Sequence, residues 1–421
     1  MQEPIYLVID LKSFYASVEC VERKLDPMTV NLVVADPERS DKTICLAITP
    51  AMKALGIKNR CRVFEIPRGV EYIMAEPRMK RYIEYAADIY GIYLSYISKE
   101  DIHVYSIDEA FLDVTKYLAF YQMPARELGQ AIMADIFEKT GVRAACGIGS
   151  NLYLAKIALD ITAKHAVDFI GYLDEETYKK ELWGHTPLTD FWRIGPGTAK
   201  KLERYGIHTM GDIAKTDEEF LYRLFGIDAE LLIDHAWGRE PTTMADIKAY
   251  KAKTSCLTSG QVLMCDYSFE DGKLVVKEMM DQLCLELVEK HLITGSVTLY
   301  VGYSNSLSVE PARGTQSLPA ETNAHSLMIP AAAELYERIV NPRYPVRRLN
   351  LSCNRVVAEE YRQYSMFADM EQMERDRRLQ TTMLDIRKKY GKNAILKGMN
   401  LEKHATTMER NRQIGGHKSG E

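Results

Sequence analysis

The sequence lacks what would carry it into or across a membrane. Among its 421 residues no apolar run approaches the roughly 20 that a bilayer span requires. The N-terminal MQEPIYLVIDL has neither the basic start nor the small-residue cleavage site of a signal peptide, and it turns strand-like at once. Its 8 cysteines are scattered, with no CxxC pair and no histidine at zinc-finger spacing. They read as buried, reduced thiols, which makes the cytoplasm the expected location. No internal repeat is visible. An excess of positive charge is missing as well: 54 Lys and Arg face 59 Asp and Glu, for a formal net charge of -5. That sum does not advertise a nucleic-acid binder. Basic residues nevertheless cluster locally, at Lys200 and Lys201, at Lys248, Lys251 and Lys253, and at Arg343, Arg347 and Arg348.

Strand and helix signals interleave through about residue 170. IYLVID is an apolar run ending on an acid, FYASVECVERKL suits a helix, and Asp26-Pro27 breaks it. NLVVAD reads as a second strand. Apolar residues recur at helical spacing across 76–98 (Met79, Tyr82, Ile83, Ala86, Ile89, Tyr90, Tyr93). DIHVYSIDEAFLDVT alternates as a hairpin with one wet face, a helix over 126–139 leads into the strand VRAACGIG, and another helix starts near Asn151. Short helical pieces punctuated by Gly and Pro fill 171–240. TTMADIKAYKAK, 242–253, is polar without an apolar period and reads as a linker. Strands over 254–263, 296–303, 308–318 and 345–357, with helices over 269–291 and 325–340, give a β-α-β-β-α-β order. That order makes a four-stranded sheet with both helices on one face. The last 60 or so residues form a charged tail, helical in part and fraying at RNRQIGGHKSGE.

Three acids stand out. Asp10 sits where an apolar strand stops, and Asp108-Glu109 sit at a hairpin tip between Ile107 and Ala110-Phe111-Leu112. Adjacent acids in an apolar strand pair are costly unless a cation lies between them. Phosphoryl transfer from a nucleoside triphosphate uses two divalent ions about 3.5–4 Å apart, bound by hard carboxylate and carbonyl oxygens. A helix cap at Asp10 and turn roles for Asp108 and Glu109 fit the same residues.

VIDLKSFYASVE, then SIDEAFLDVT, then CGIGSNLYLAKIALDITAK resemble the three palm motifs of the Y-family translesion DNA polymerases, in order and spacing, and the likeness runs through most of 1–360. It is similar in particular to the UmuC, MucB and UvrX branch. The resemblance implies an α+β, right-hand polymerase: a ferredoxin-like palm (1–22 and 77–170), small fingers (23–76), a helix-hairpin-helix thumb (171–241), the linker, a little finger (254–358) and a tail (359–421). It implies that Asp10, the carbonyl of Leu11, Asp108 and Glu109 hold two Mg²⁺ ions, with Mn²⁺ as a substitute. It places Phe14 and Tyr15 at the incoming sugar, Tyr15 as the ring that collides with a 2′-hydroxyl, and Lys164 at the triphosphate. In LAITPAMKALGI, family members often carry a Tyr and an Arg where this chain has Pro50 and Lys53. Lys53 then supplies charge without the two-pronged geometry of Arg, and Thr49 offers a hydroxyl. Ile44 and Leu46 fall where other branches carry small residues above the nascent base pair. Their bulk predicts poor bypass of bulky minor-groove adducts. Ile44→Ala should improve that bypass in primer extension, and an unchanged yield would count against it.

WRIGPGTAKKLERYGI carries a helix-hairpin-helix signature, in which Gly195, Gly197 and Thr198 open a helix whose amides face a DNA phosphate, with Lys200 beside them. Lys251, Arg347, Arg348 and Arg355 are further phosphate-contact candidates. QYSMF (Gln363, Tyr364, Ser365, Met366, Phe367) resembles the peptide by which bacterial polymerases dock on the sliding clamp. No segment is left for a proofreading exonuclease, so low fidelity is expected. The partners implied are primer-template DNA, deoxynucleoside triphosphates, the sliding clamp and accessory or recombinase proteins, with DNA-damage induction as a family trait and no membrane. Two other readings use parts of the pattern: a palm-domain nucleotidyl cyclase, which would need neither thumb nor clamp peptide, and a catalytically idle DNA- and clamp-binding scaffold, which would not need three intact acids.

Overall fold

The computed structural model describes residues 3–252, 255–359 and 370–420. They divide into two compact units, one reaching Tyr250 and the other spanning Lys251–Ser419.

In the first unit β1 is Tyr6–Leu11, β2 Leu32–Val34, β3 Ala47–Ile48, β4 Ile73–Ala75, β5 Ile102–Val104, β6 Glu109–Asp113, β7 Ala144–Gly149 and β8 Ile170–Leu173. Five of these form one sheet in the order β5-β6-β1-β7-β8. Strand β1 is central, antiparallel to both neighbours and covered on both faces, and the double cover is why its YLVIDL is apolar almost throughout. Side chains alternate across it. Leu7 meets the helix Ala125–Thr140, where a side chain on Gly129 would contact Cys146 and Leu7. Tyr6 and Val8 point the other way and pack with Phe111, Leu152, Ala155 and Leu159. Asp10 shares that second face, at its open end.

The helix on this face lies close because β7 carries Gly147 and Gly149. A Cβ on either would run into the backbone of Ala155 or Leu159. That helix is α-helical over Leu152–Ile157, widens to a π turn over Ala158–Thr162 and ends as a 3-10 turn at Ala163–His165. Asn151 caps it by accepting a hydrogen bond from Leu154 N at 2.8 Å.

Three further strands form a small sheet, β3-β2-β4, over a core of Val33, Cys45, Ile48, Met52, Ile57, Cys61 and Ile66, in the stretch expected to form the fingers. A helical layer follows, with Tyr153, Leu154, Tyr178, Phe191, Leu202 and Leu221 among its buried residues. Within the stretch that reads as a linker, Met244–Ala249 coils into a helix. Thr243 and Asp246 cap it reciprocally, and buried Met244 and partly buried Ile247 pack toward Tyr6 and Phe111. Six residues are too short to display a period.

In the second unit β9 is Leu257–Tyr267, β10 Leu292–Tyr303, β11 Ala312–Thr322 and β12 Val346–Asn354, ordered β11-β10-β12-β9, with the short β13, Val357–Ala358, pairing β10. The helices Phe269–Glu289 and His325–Ile339 bury one face of the sheet, with Val276, Leu283, Leu299, Leu335 and Leu351 in the common core. Pro319 sits in β11, an edge strand, where its missing N–H breaks no ladder. The other face is polar: Thr258, Arg313, Thr315, Arg348 and Asn350 are exposed along it.

The C-terminal segment is folded rather than fraying. A helix over Met370–Tyr390 and a hairpin of β14 (Gln413–Ile414) with β15 (His417–Lys418) form there. Asn400 Nδ2 and the Thr406 amide donate to buried Glu278 at 2.9 and 2.7 Å, and Lys397 pairs with Asp281 at 2.5 Å. The tail thereby satisfies buried Glu278 and sets a cation beside buried Asp281. The clamp-like peptide Gln363–Phe367 lies outside the described residues.

Candidate functional site

Register brings two of the three predicted acids together: Asp10 on β1 is directly opposite Glu109 on β6. Asp108 precedes Glu109 in the tight loop of the β5–β6 hairpin, and its carbonyl accepts the Leu11 amide at 2.9 Å. Leu11 therefore lies beside Asp108, with its own side chain buried. Ser106 Oγ donates to Asp108 Oδ1 at 2.6 Å.

Crowding these acids has an electrostatic signature. Burial, then the negative charges of Asp108 and Glu109, push the Asp10 carboxyl up to about 7. Burial raises Glu109 as well, against the pull of Lys156. Lys156 is itself buried, and its Nζ donates to Glu109 Oε2 at 2.8 Å and to Asp160 at 3.1 Å. The second Glu109 oxygen, Oε1, is buried with no partner. An orphaned carboxylate oxygen beside an Asp that resists ionising is a donor set short of positive charge, and it fits hard divalent cations. Among the described residues one acidic trio, Asp36, Glu38 and Glu76 of the fingers, brings its ligand atoms within 4.8 Å of one another. Asp10, Asp108 and Glu109 are set wider, and their fit rests on the orphaned oxygen and on Asp10.

Lysines gather beside the acids. Burial lowers Lys12, and Lys53 and Lys164 lower it further while Asp10 opposes them. Desolvation also lowers Lys53, with Asp10 and Asp108 pulling it up and Lys164 down. The predicted Lys53 and Lys164 thus share one electrostatic neighbourhood with Lys12, which the sequence reading missed. Lys12 Nζ rests 3.7 Å from the centre of the Phe169 ring. Thr49 is fully buried and its hydroxyl accepts the Leu32 amide at 3.2 Å, so that oxygen is engaged inside the fingers.

Phe14 is buried at the start of the helix Phe14–Glu22. Tyr15 is half-buried, and Asp108 is near enough to help burial raise its phenol. Away from this centre, Gly195 caps the helix Pro196–Glu203, and added side chains on Gly195 or Gly197 would meet nothing within 4 Å. Nothing inside the protein crowds those two positions. Thr198 is half-buried and Lys200 exposed on the same helix. In the second unit Lys251 and Arg348 are exposed, while Arg347 lies 3.6 Å from Asp266.

Asp10 and Glu109 thus form a carboxylate pair on neighbouring strands, with Lys12, Lys53 and Lys164 in the same electrostatic neighbourhood. The sequence pattern of the impB/mucB/samB family matches residues 9–160, and that of the family's C-terminal domain matches residues 264–366. The putative UV-damage repair protein UvrX of Bacillus subtilis (strain 168) is 30% identical, over 98% of this chain and 97% of its own. DNA polymerase IV 2 of Halalkalibacterium halodurans is also 30% identical, over 99% of each chain. The Y-family DNA polymerase chimera Dbh-Dpo4(243-245)-Dbh shares the fold with a TM-score of 0.65 at 20% identity, covering 84% of this chain and 99% of that one. The chain belongs to the impB/mucB/samB family, the Y-family of DNA polymerases. Polymerases of this family use divalent metal ions, and no described helix is long and apolar enough to cross a membrane.

Proposed function

We propose that this chain extends a primer on a DNA template by two-metal nucleotidyl transfer, with the low fidelity and lesion tolerance of a translesion enzyme and without proofreading. The observation that carries the reading is the pairing of Asp10 with Glu109 beside Asp108, with one buried Glu109 oxygen left for a cation. Asp10, the Leu11 carbonyl, Asp108 and Glu109 would hold two Mg²⁺ ions, which Mn²⁺ could replace. When bound, such ions supply Lewis acidity at the attacking and leaving oxygens.

The remaining work falls to the chain. Lys12, Lys53 and Lys164 repel one another, a repulsion that a triphosphate would relieve, and each offers a point charge. Phe14 supports the pocket wall, and Tyr15 presents its ring to the sugar. The open glycines Gly195 and Gly197, with Thr198 and Lys200, suit a duplex backbone, as do Lys251, Arg347 and Arg348. Such contacts position DNA without reading its sequence. Gln363, Tyr364, Ser365, Met366 and Phe367 would tether the enzyme to a sliding clamp and raise its effective concentration at the primer end. Accessory or recombinase proteins and a cytoplasmic location complete the reading.

The test is primer extension with each deoxynucleotide in turn. Only the nucleotide complementary to the template should be added efficiently, activity should vanish in excess chelator, and Mg²⁺ should restore it. Extension that persists in chelator would count against the metal site.

A further inference from the structure

We propose that Tyr82 is a positioning residue for Tyr15 and thereby sets the discrimination between deoxyribo- and ribonucleotides. The inference rests on the reading of Tyr15 as the sugar-facing ring. Such a ring rejects a 2′-hydroxyl only if it cannot move aside, because a yielding wall spreads the clash over a small displacement. Tyr15 gets little restraint from its own segment. It stands in the first turn of its helix, behind Ser13, which has a left-handed backbone (φ 48°) and makes no side-chain cap.

The restraint comes from the helix Met79–Tyr96. The Tyr82 ring lies parallel to that of Tyr15, with centroids 4.5 Å apart and planes 16° from coincidence. Tyr82 is fully buried, and its hydroxyl donates to Glu19 Oε1 at 2.8 Å. Glu19 is one helical turn beyond Tyr15 and fully buried. Arg78 anchors it with two bonds of 2.9 Å, Nε to Oε1 and Nη2 to Oε2, and Arg23 reaches it from the next turn. One face of Tyr15 is thus backed by a ring that cannot slide, because that ring's far end is held by a fixed carboxylate. Tyr15 itself keeps part of its surface exposed. Neither Tyr82 nor Glu19 lies among the carboxylates or lysines of the site.

The experiment compares single-nucleotide insertion of a matched deoxynucleotide and its ribonucleotide by the full-length wild type, Tyr15→Ala, Tyr82→Leu, Tyr82→Met and Tyr82→Phe. Tyr15→Ala should collapse the kcat/KM ratio between the two sugars. Tyr82→Leu and Tyr82→Met should lower that ratio by about tenfold or more, the scale of one pocket contact, through a gain in ribonucleotide use. Tyr82→Phe keeps the stacked ring but loses its bond to Glu19, so it should lower the ratio by less than the Leu and Met variants do, whereas general damage would depress both substrates together. Tyr82→Met fills more of the space and decides the matter if the Leu variant does not fold. An unchanged ratio in the Tyr82 variants beside a collapsed one in Tyr15→Ala would overturn the role of Tyr82 alone. An unchanged ratio in Tyr15→Ala would overturn the sugar-facing role of Tyr15 and this inference with it.

Discussion

Asp10→Asn should stabilise the metal-free protein at neutral pH and silence it as an enzyme. The Asp10 carboxyl titrates near 7 in the folded chain against 3.8 for an ordinary aspartate, because burial, Asp108 and Glu109 oppose its charge. Between these values the folded state holds a proton that the unfolded state has released, so stability falls as pH rises from about 4 to about 7. Each unit of difference corresponds to about 1.4 kcal/mol, so the penalty above pH 7 amounts to a few kcal/mol. Asparagine cannot ionise and escapes it. In metal-free buffer the variant should melt above the wild type at pH 8, and the gap should close towards pH 4. A gap that is constant with pH would contradict the electrostatic account. Catalysis should fall by at least about 10³-fold, since ion-mediated charge stabilisation is worth several kcal/mol and each 1.4 kcal/mol is tenfold.

Lys156→Met should weaken the site without removing any predicted ligand. Burial works against the charge on Lys156, but Asp160 and Glu109 outweigh it and raise its pKa. Replacing it with a thioether leaves Glu109 buried without a counter-charge. The cost should be about 3 kcal/mol, the lower end of the range for breaking a buried pair, because Asp160 keeps part of its water. Glu109 is then harder to ionise, and the half-saturating Mg²⁺ concentration for primer extension should rise by about 10–100-fold, as for other residues that orient a metal ligand. High Mg²⁺ should recover much of the rate. An unchanged Mg²⁺ dependence would show that Lys156 only fills space.

Acids that end or interrupt apolar strands draw attention to Asp10, Asp108 and Glu109, but cap and turn roles fit them too, and the resemblance to the three palm motifs is what assigns them to metal. The sequence also revealed the β-α-β-β-α-β order of the second unit, although strand ends moved. The strand expected at 308–318 runs Ala312–Thr322, starting only after Pro311, which offers no N–H for a ladder. Residues whose purpose lies with a distant partner stayed hidden. Lys156 left a faint trace, one charge in the apolar run LYLAKIAL four residues before Asp160. Glu19 left a similar one inside FYASVEC, but its partners Arg78 and Tyr82 are about 60 residues away, and no local period encodes that pairing. The tail hid its fold because it is polar on both sides: it binds the helix beneath through Asn400, Thr406 and Lys397, where packing shows as hydrogen bonds rather than as an apolar stripe.

The most direct test of the central claim is single-nucleotide primer extension in Mg²⁺ on an undamaged template, comparing the wild type with Asp108→Ala. Asp108 lies in the hairpin loop and is only half-buried, so the variant should fold, as circular dichroism would verify. The wild type should extend the primer and the variant should be slower by about 10³-fold or more. A variant that extends like the wild type, or a wild type that fails to extend even beside a loaded clamp, would contradict the assignment of these carboxylates to catalysis.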